Sequence, residues 1–141
     1  MADRDTLTAR YRAALYQVEW RGARFVLRVD AYSAELAACH AAHGVRCSVF
    51  VSAWNPRSEQ QSAAANDAAH AQLLARLQHE GYRWLTASGQ DPAGQWPAEQ
   101  SLLVLGMPPD AAIRCGRDFN QNAILLAGAD AVPRLEWISS S

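Results

Sequence analysis

The chain has 141 residues, half of them hydrophobic and 19% charged, with a formal charge of −1. That length suits one domain over 1–141, able to bury about 70% of its unfolded surface around one core, and the balance of residues excludes a long disordered tract. A near-neutral chain is not a basic one, so neither nucleic acid nor a membrane surface is expected as a partner. Every cationic side chain is an arginine, which reads as coding bias rather than as a basic patch.

The opening residues Met1-Ala2-Asp3-Arg4-Asp5 lack the layout of a signal peptide, and no apolar run reaches membrane-spanning length. The expected setting is the cytoplasm. Residues 1–10 carry no clear pattern and are expected to fray. Leu15 to Trp20 then alternates apolar with polar, Arg21-Gly22-Ala23 turns, and Phe25 to Val29 follows, the pattern of a β-hairpin. Ser33 caps a helix running to about His43, and Gly44 stops it.

Val45 to Ala53 is an apolar, β-branched run that ends abruptly at Trp54-Asn55-Pro56-Arg57-Ser58. It reads as a buried strand delivering polar groups to the sheet edge. Either Ser58, at capping-box spacing from Gln61, or Ser62 opens the next helix, which carries Leu73, Leu74 and Leu77 as its apolar stripe and ends before Gly81. Asn66 and His70 lie on that stripe one turn earlier and are expected to face inward.

Tyr82 to Thr86 suggests a short strand, and residues 87–98 form the longest loop, of a length usually reserved for function. Glu99 opens the strand Ser101 to Leu105, Pro108 and Pro109 start a helix with Ala112, Cys115 and Phe119 on one face, and strands follow at Ala123 to Ala127 and Leu135 to Ile138. The order is ββαβα(β)βαββ. Hairpins at both ends with helices between them define an α+β fold, a single compact domain with a mixed sheet covered by helices.

Cys39, Cys47 and Cys115 are an odd number without a close pair, so they are expected to be reduced core residues. His40, His43, His70 and His79 lack the spacing of a metal site, and no glycine-rich phosphate loop or nucleophile elbow occurs. No metal and no cofactor is expected.

Topology gathers the remaining polar residues. If the strands at Ser101 and Ala123 are joined by a parallel crossover, and the central strand runs antiparallel to both, then Asn55, Arg57, Asn66, Glu99 and Gln121 converge at one sheet edge. Such a set can bind a polar ligand, with Trp54 or Trp96 stacking it, Asn55, Asn66, Gln121 and Asn122 reading its polar edge, and Arg57 holding an anionic group. Glu99 is the candidate catalytic group for proton transfer. Each amide can equally serve as scaffold, and Arg57 and Glu99 can form a structural ion pair.

The segments Val51 to Ser58, Asn66, Trp96 to Gly106 and Phe119 to Ile124 are similar in order and spacing to a bacterial family, domain-of-unknown-function family number 3293. That family tends to have Thr-Ala-Trp-Asn-Pro and Phe-Gly-Gln-Asn-Ala, where this chain has Ser52 and Asn120 at the departing positions. Serine keeps the hydroxyl, and asparagine also reaches left-handed backbone angles. The resemblance implies a small standalone bacterial protein and assigns no activity. The expected function is binding of a small polar or nucleotide-like ligand near Asn55, or of a protein partner with the polar residues acting as scaffold.

Overall fold

The computed structural model describes residues 3–138. Its strands are β1 (Leu15–Trp20), β2 (Ala23–Leu27), β3 (Ser48–Val51), β4 (Arg83–Gln90), β5 (Glu99–Leu105), β6 (Ala123–Ala127) and β7 (Pro133–Trp137). They form one sheet in the order β2-β1-β4-β5-β3-β6-β7. The helices are α1 (Arg4–Ala13), α2 (Ala34–His43), α3 (Ala63–Glu80) and α4 (Pro109–Asp118). The α+β class and the expected element order hold, with α1 added in front.

Every hydrogen-bonded strand pair among the described residues is antiparallel, so the sheet is antiparallel rather than mixed as expected. The parallel relationship is one strand removed: β5 and β6 run the same way, with β3 antiparallel between them. That is the arrangement the crossover requires, so the end of β3 and the starts of β5 and β6 lie together.

Period-two alternation sorts side chains onto two faces. Along β5, Leu103 and Leu105 join one core cluster while Leu102 and Val104 join the other. Helices α3 and α4 cover the second face through Leu73, Leu77, Ala112 and Cys115, all essentially inaccessible. Burying a leucine of this kind contributes about 1.5–3 kcal/mol, and Leu73→Ala would cost about 2–5 kcal/mol. Gly116 lets α4 lie close, because a Cβ there would meet Ile124 and Ile138 side chains at 3.1 Å.

The first face is concave. Side chains from β2 across to β6 share one cluster, and the Tyr16 ring of β1 meets the Phe50 ring of β3 edge-on at 5.0 Å although two strands separate them in the sheet. Just beyond β2, the Asp30 N–H donates to the Pro133 carbonyl at 2.7 Å, bringing the two ends of the sheet together. Helix α2 fills one end of this curled interior with Leu36 and Cys39, and His40 Nε2 bonds Ser48 Oγ at 2.8 Å where β3 begins. Its limits follow from Ser33, whose side chain accepts from the Leu36 N–H, and left-handed Gly44.

Two expectations are corrected. Residues 4–13 are helical rather than frayed: the Asp3 side chain accepts from the Thr6 N–H, capping α1. Only Leu7 of that helix is buried, so its apolar stripe is a weak one. The long loop is shorter, at 91–98, because Ala87 to Gln90 continues β4 and pairs with both β1 and β5. Glycine at position 89 had hidden the strand pattern. Of the two candidate caps for α3, Ser62 is the one used, accepting from the Ala65 N–H.

Candidate functional site

At the end of the curled sheet opposite α2, helix α1 leaves a cleft of about 110 Å³. Its floor and walls come from β1, β3, β4, β5, β6 and β7, through Tyr16, Phe50, Gly89, Glu99, Ser101, Leu125 and Leu135 among others, α1 supplies Arg10 and Tyr11, and Ala14 follows at its end. The mouth of a closed or nearly closed sheet is a common place for a ligand, since several strand ends converge there around an apolar floor.

Glu99 stands in the same side-chain column of β5 as Ser101, Leu103 and Leu105, which places it on the concave face. The Asn55 Nδ2 donates to Glu99 Oε2 at 2.7 Å. Among the described residues this is the side-chain partner that the carboxyl has. Burial pushes the Glu99 carboxyl up from its ordinary pKa, opposed by the Asn55 hydrogen bond and by the Arg10 charge.

Asn55 is buried and held from behind. Its N–H donates to Asn66 Oδ1 at 2.9 Å, and its Oδ1 accepts from Asn66 Nδ2 at 3.1 Å and from the Gln61 N–H at 3.2 Å. Asn66 faces inward from α3 as expected, but it reaches the cleft through Asn55 rather than lining it. Gln121 lines the cleft and donates from Nε2 to the carbonyls of Trp54 and Phe119, each at 3.2 Å. The four residues Asn55, Asn66, Glu99 and Gln121 therefore assemble at one end of the sheet.

The other candidates divide. Trp96 lines the cleft, with the Arg10 guanidinium 3.9 Å above its ring. Asn122 lies outside the lining and donates to Ser58 Oγ at 3.0 Å. Trp54 is also outside it, and its indole N–H is buried with no partner among the described residues. Arg57 is exposed and forms no ion pair among the described residues, so the alternative of a structural Arg57–Glu99 pair is not realised. The cation that acts on Glu99 is Arg10.

The turn around Asn55 is strained. Asn55, Arg57 and Ser58 all have positive φ, as does Asn120, and the Arg57 N–H donates to the Asn120 carbonyl at 2.7 Å, tying the two turns together. Non-glycine residues in this region cost of order 1–3 kcal/mol each and persist where surrounding contacts fix them. Asn120 thus takes the left-handed geometry expected of it. Ser52 keeps a structural hydroxyl, accepting from the Trp54 N–H at 3.0 Å and donating to the Gln100 carbonyl at 2.8 Å.

Arg10, Tyr11, Tyr16 and Gly89 are site residues that sequence reasoning missed. Tyr11 Oη lies 2.6 Å from Ser58 Oγ, and Tyr16 Oη donates to the Tyr11 carbonyl at 2.5 Å. The cap at Asp3, followed by Leu7, Arg10, Tyr11 and Ala14 at helical spacing, was the available signal for the first two. The loop after β4 is organised by Asp91, whose carboxylate accepts from the N–H groups of Ala93, Gln95 and Trp96 and is held below its ordinary pKa by them.

The three cysteines are free, with Cys39 and Cys115 buried and Cys47 partly so. Among the described residues no group of three or more His, Cys, Asp or Glu side chains is placed to hold a metal ion, and no helix is long and apolar enough to cross a membrane.

The fold and cleft define a small α+β protein built on a curled antiparallel sheet with a polar mouth. Residues 51–124, more than half of the chain, match the family described as "Protein of unknown function (DUF3293)", and the chain belongs to that family. Asn55, Gly89, Trp96, Glu99 and Gln121 fall within the matched segment, while Arg10, Tyr11 and Tyr16 precede it. No curated protein and no solved structure matches the chain.

Proposed function

We propose that the cleft at the α1 end of the curled sheet binds a small polar ligand and that Glu99 is the group that reads it and exchanges a proton with it. The observation that carries this reading is the Asn55–Glu99 bond of 2.7 Å inside the cleft. One carboxyl oxygen is fixed by an amide that is itself fixed by Asn66, and the Glu99 side chain lines the cleft. Burial raises the proton affinity of that carboxyl, bringing it toward the range useful for proton transfer.

Asn55, Trp96 and Gln121 are the members of the predicted set assigned to ligand contact. Asn66, Asn122, Trp54 and Arg57 are assigned to holding the turns in place. A protein-binding role for this surface draws less support, because the large hydrophobic side chains exposed among the described residues are Val26 and Tyr32, far too few for an apolar patch of several hundred Å².

Saturation-transfer NMR with a panel of amino acids, sugar phosphates and nucleotides tests the reading. Expected is binding by at least one compound, with amide shifts at Trp96, Glu99 and Gln121 and a changed affinity in Glu99→Gln. A panel that moves none of these amides, alongside a wild-type protein that is folded, would overturn it.

A further inference from the structure

Gly89 is the next-to-last residue of β4, paired with Tyr16 on β1 and with Glu99, the first residue of β5. Residues directly opposite one another in adjacent strands point to the same face, so the three form one row across the concave side: a tyrosine, a gap and a carboxyl. Two strand spacings separate Tyr16 from Glu99, roughly 9–10 Å between their backbones.

The gap is not demanded by the backbone. Gly89 does not have the left-handed φ that favours glycine, and a Cβ built there would meet nothing within 4 Å. Pairing runs unbroken through Gly89 on both sides, so it marks no bulge, and what its missing side chain leaves is open space over the backbone, which a ligand can approach closely.

Both walls of the gap are fixed before anything enters. The Tyr16 ring is held by its hydroxyl on the Tyr11 carbonyl and by its edge-on contact with Phe50. Glu99 is held by Asn55. A flat ring is the shape that fits between an aromatic wall and a carboxyl over bare peptide.

The opening carries a cation. Arg10 is stacked on Trp96, and among the described residues its guanidinium makes no ion pair and no side-chain hydrogen bond. The nearby Asp91 carboxylate is occupied by three backbone N–H groups. A guanidinium flattened on an indole keeps its in-plane donors for a carboxylate or phosphate.

Resting on the reading of the cleft as a small-ligand site, we infer that Gly89 determines its specificity. The cleft takes a planar nitrogen heterocycle laid over the β4 backbone between Tyr16 and Glu99, with an anionic substituent directed to Arg10. Nucleoside monophosphates carry both parts. Glu99 meets the N–H edge of the ring, and Gly89 supplies the space for the ring itself.

The probes are the common nucleoside 5′-monophosphates, the matching nucleosides, ribose 5-phosphate and glutamate, titrated by calorimetry and by amide shifts into wild type, Gly89→Val and Arg10→Gln. Valine suits a strand, and Gly89→Ala replaces it should the valine variant fail to fold. At least one nucleotide is expected to bind wild type, and to lose about tenfold or more in affinity in the Gly89 variant at unchanged thermal stability. Arg10→Gln should bring nucleotide affinity down to that of the nucleoside. If ribose 5-phosphate or glutamate moves Glu99 and Gln121 while the nucleotides do not, or if the Gly89 variant binds nucleotide within about twofold of wild type, the planar-ring assignment falls and the small-ligand reading stands. If no probe moves the cleft residues, both fall.

Discussion

Asn55 and Glu99 meet at 2.7 Å across the junction where β3 ends and β5 begins, a polar contact at the rim of a curled sheet with a largely apolar interior. The pair converts a turn residue into the support of a carboxyl. Its consequences for pH dependence follow from the direction of the Glu99 shift.

Burial raises the Glu99 pKa above the ordinary 4.5, so the folded chain keeps this proton to higher pH than the unfolded chain does. Between the two values the unfolded state binds fewer protons, and stability from this group falls as pH rises through that window. Glu99→Gln keeps an acceptor for Asn55 and removes the titration. Urea unfolding from pH 4 upward should show the variant gaining on wild type as pH rises. A constant difference would contradict the assignment of Glu99 as a buried carboxyl.

His70 gives the opposite slope. It is 7% exposed on α3, its Nδ1 has no partner among the described residues, and burial lowers its pKa below the ordinary 6.5, with Asp67 opposing. The unfolded chain takes up this proton first on acidification, so stability present above the unfolded value is lost as pH falls through the folded one. A ring titration by NMR should give a midpoint below 6.5, and His70→Gln should flatten the acid slope. A midpoint at or above the ordinary value would remove His70 as a source of acid lability.

Asn66 is assigned to support rather than to ligand contact. Asn66→Ala leaves the buried N–H of Asn55 without its partner and its Oδ1 with the Gln61 N–H alone, a loss of about 1–3 kcal/mol by urea unfolding. The Asn55 turn and the Glu99 resonances should shift with it. A cost below about 0.5 kcal/mol, the range of an ordinary surface change, would show that the turn does not depend on α3.

Helix α1 is attached chiefly through side chains, including Arg10 on Trp96, Tyr11 on Ser58 and Arg12 on Asp30. A double-mutant cycle of Arg10→Ala and Trp96→Ala should return a coupling of about 0.5–1 kcal/mol, the scale of a partly exposed cation–π contact. Hydrogen exchange along α1 should rise in either single variant and no further in the double. Additive effects would mean that the helix is held elsewhere.

Local chemistry made much of the chain legible before any coordinate. Ser33 and Gly44 bound α2, the Asn55-Pro56 turn ends the central strand, Asn66 faces inward, and the crossover from β5 to β6 brings Glu99 and Gln121 to one end of the sheet. Caps, turns and apolar periods act over a few residues, so a single sequence displays them. The cleft itself depends on curling. Tyr16 touches Phe50 and Arg10 covers Trp96 because the sheet bends back on itself, and Arg10 rather than Arg57 becomes the cation near Glu99 because α1 folds over the opening. Gly89 acquires its meaning only between Tyr16 and Glu99, on strands far apart in the chain. Registers and curvature of that kind are set by the packing of all seven strands at once, a long-range sum that no local pattern records.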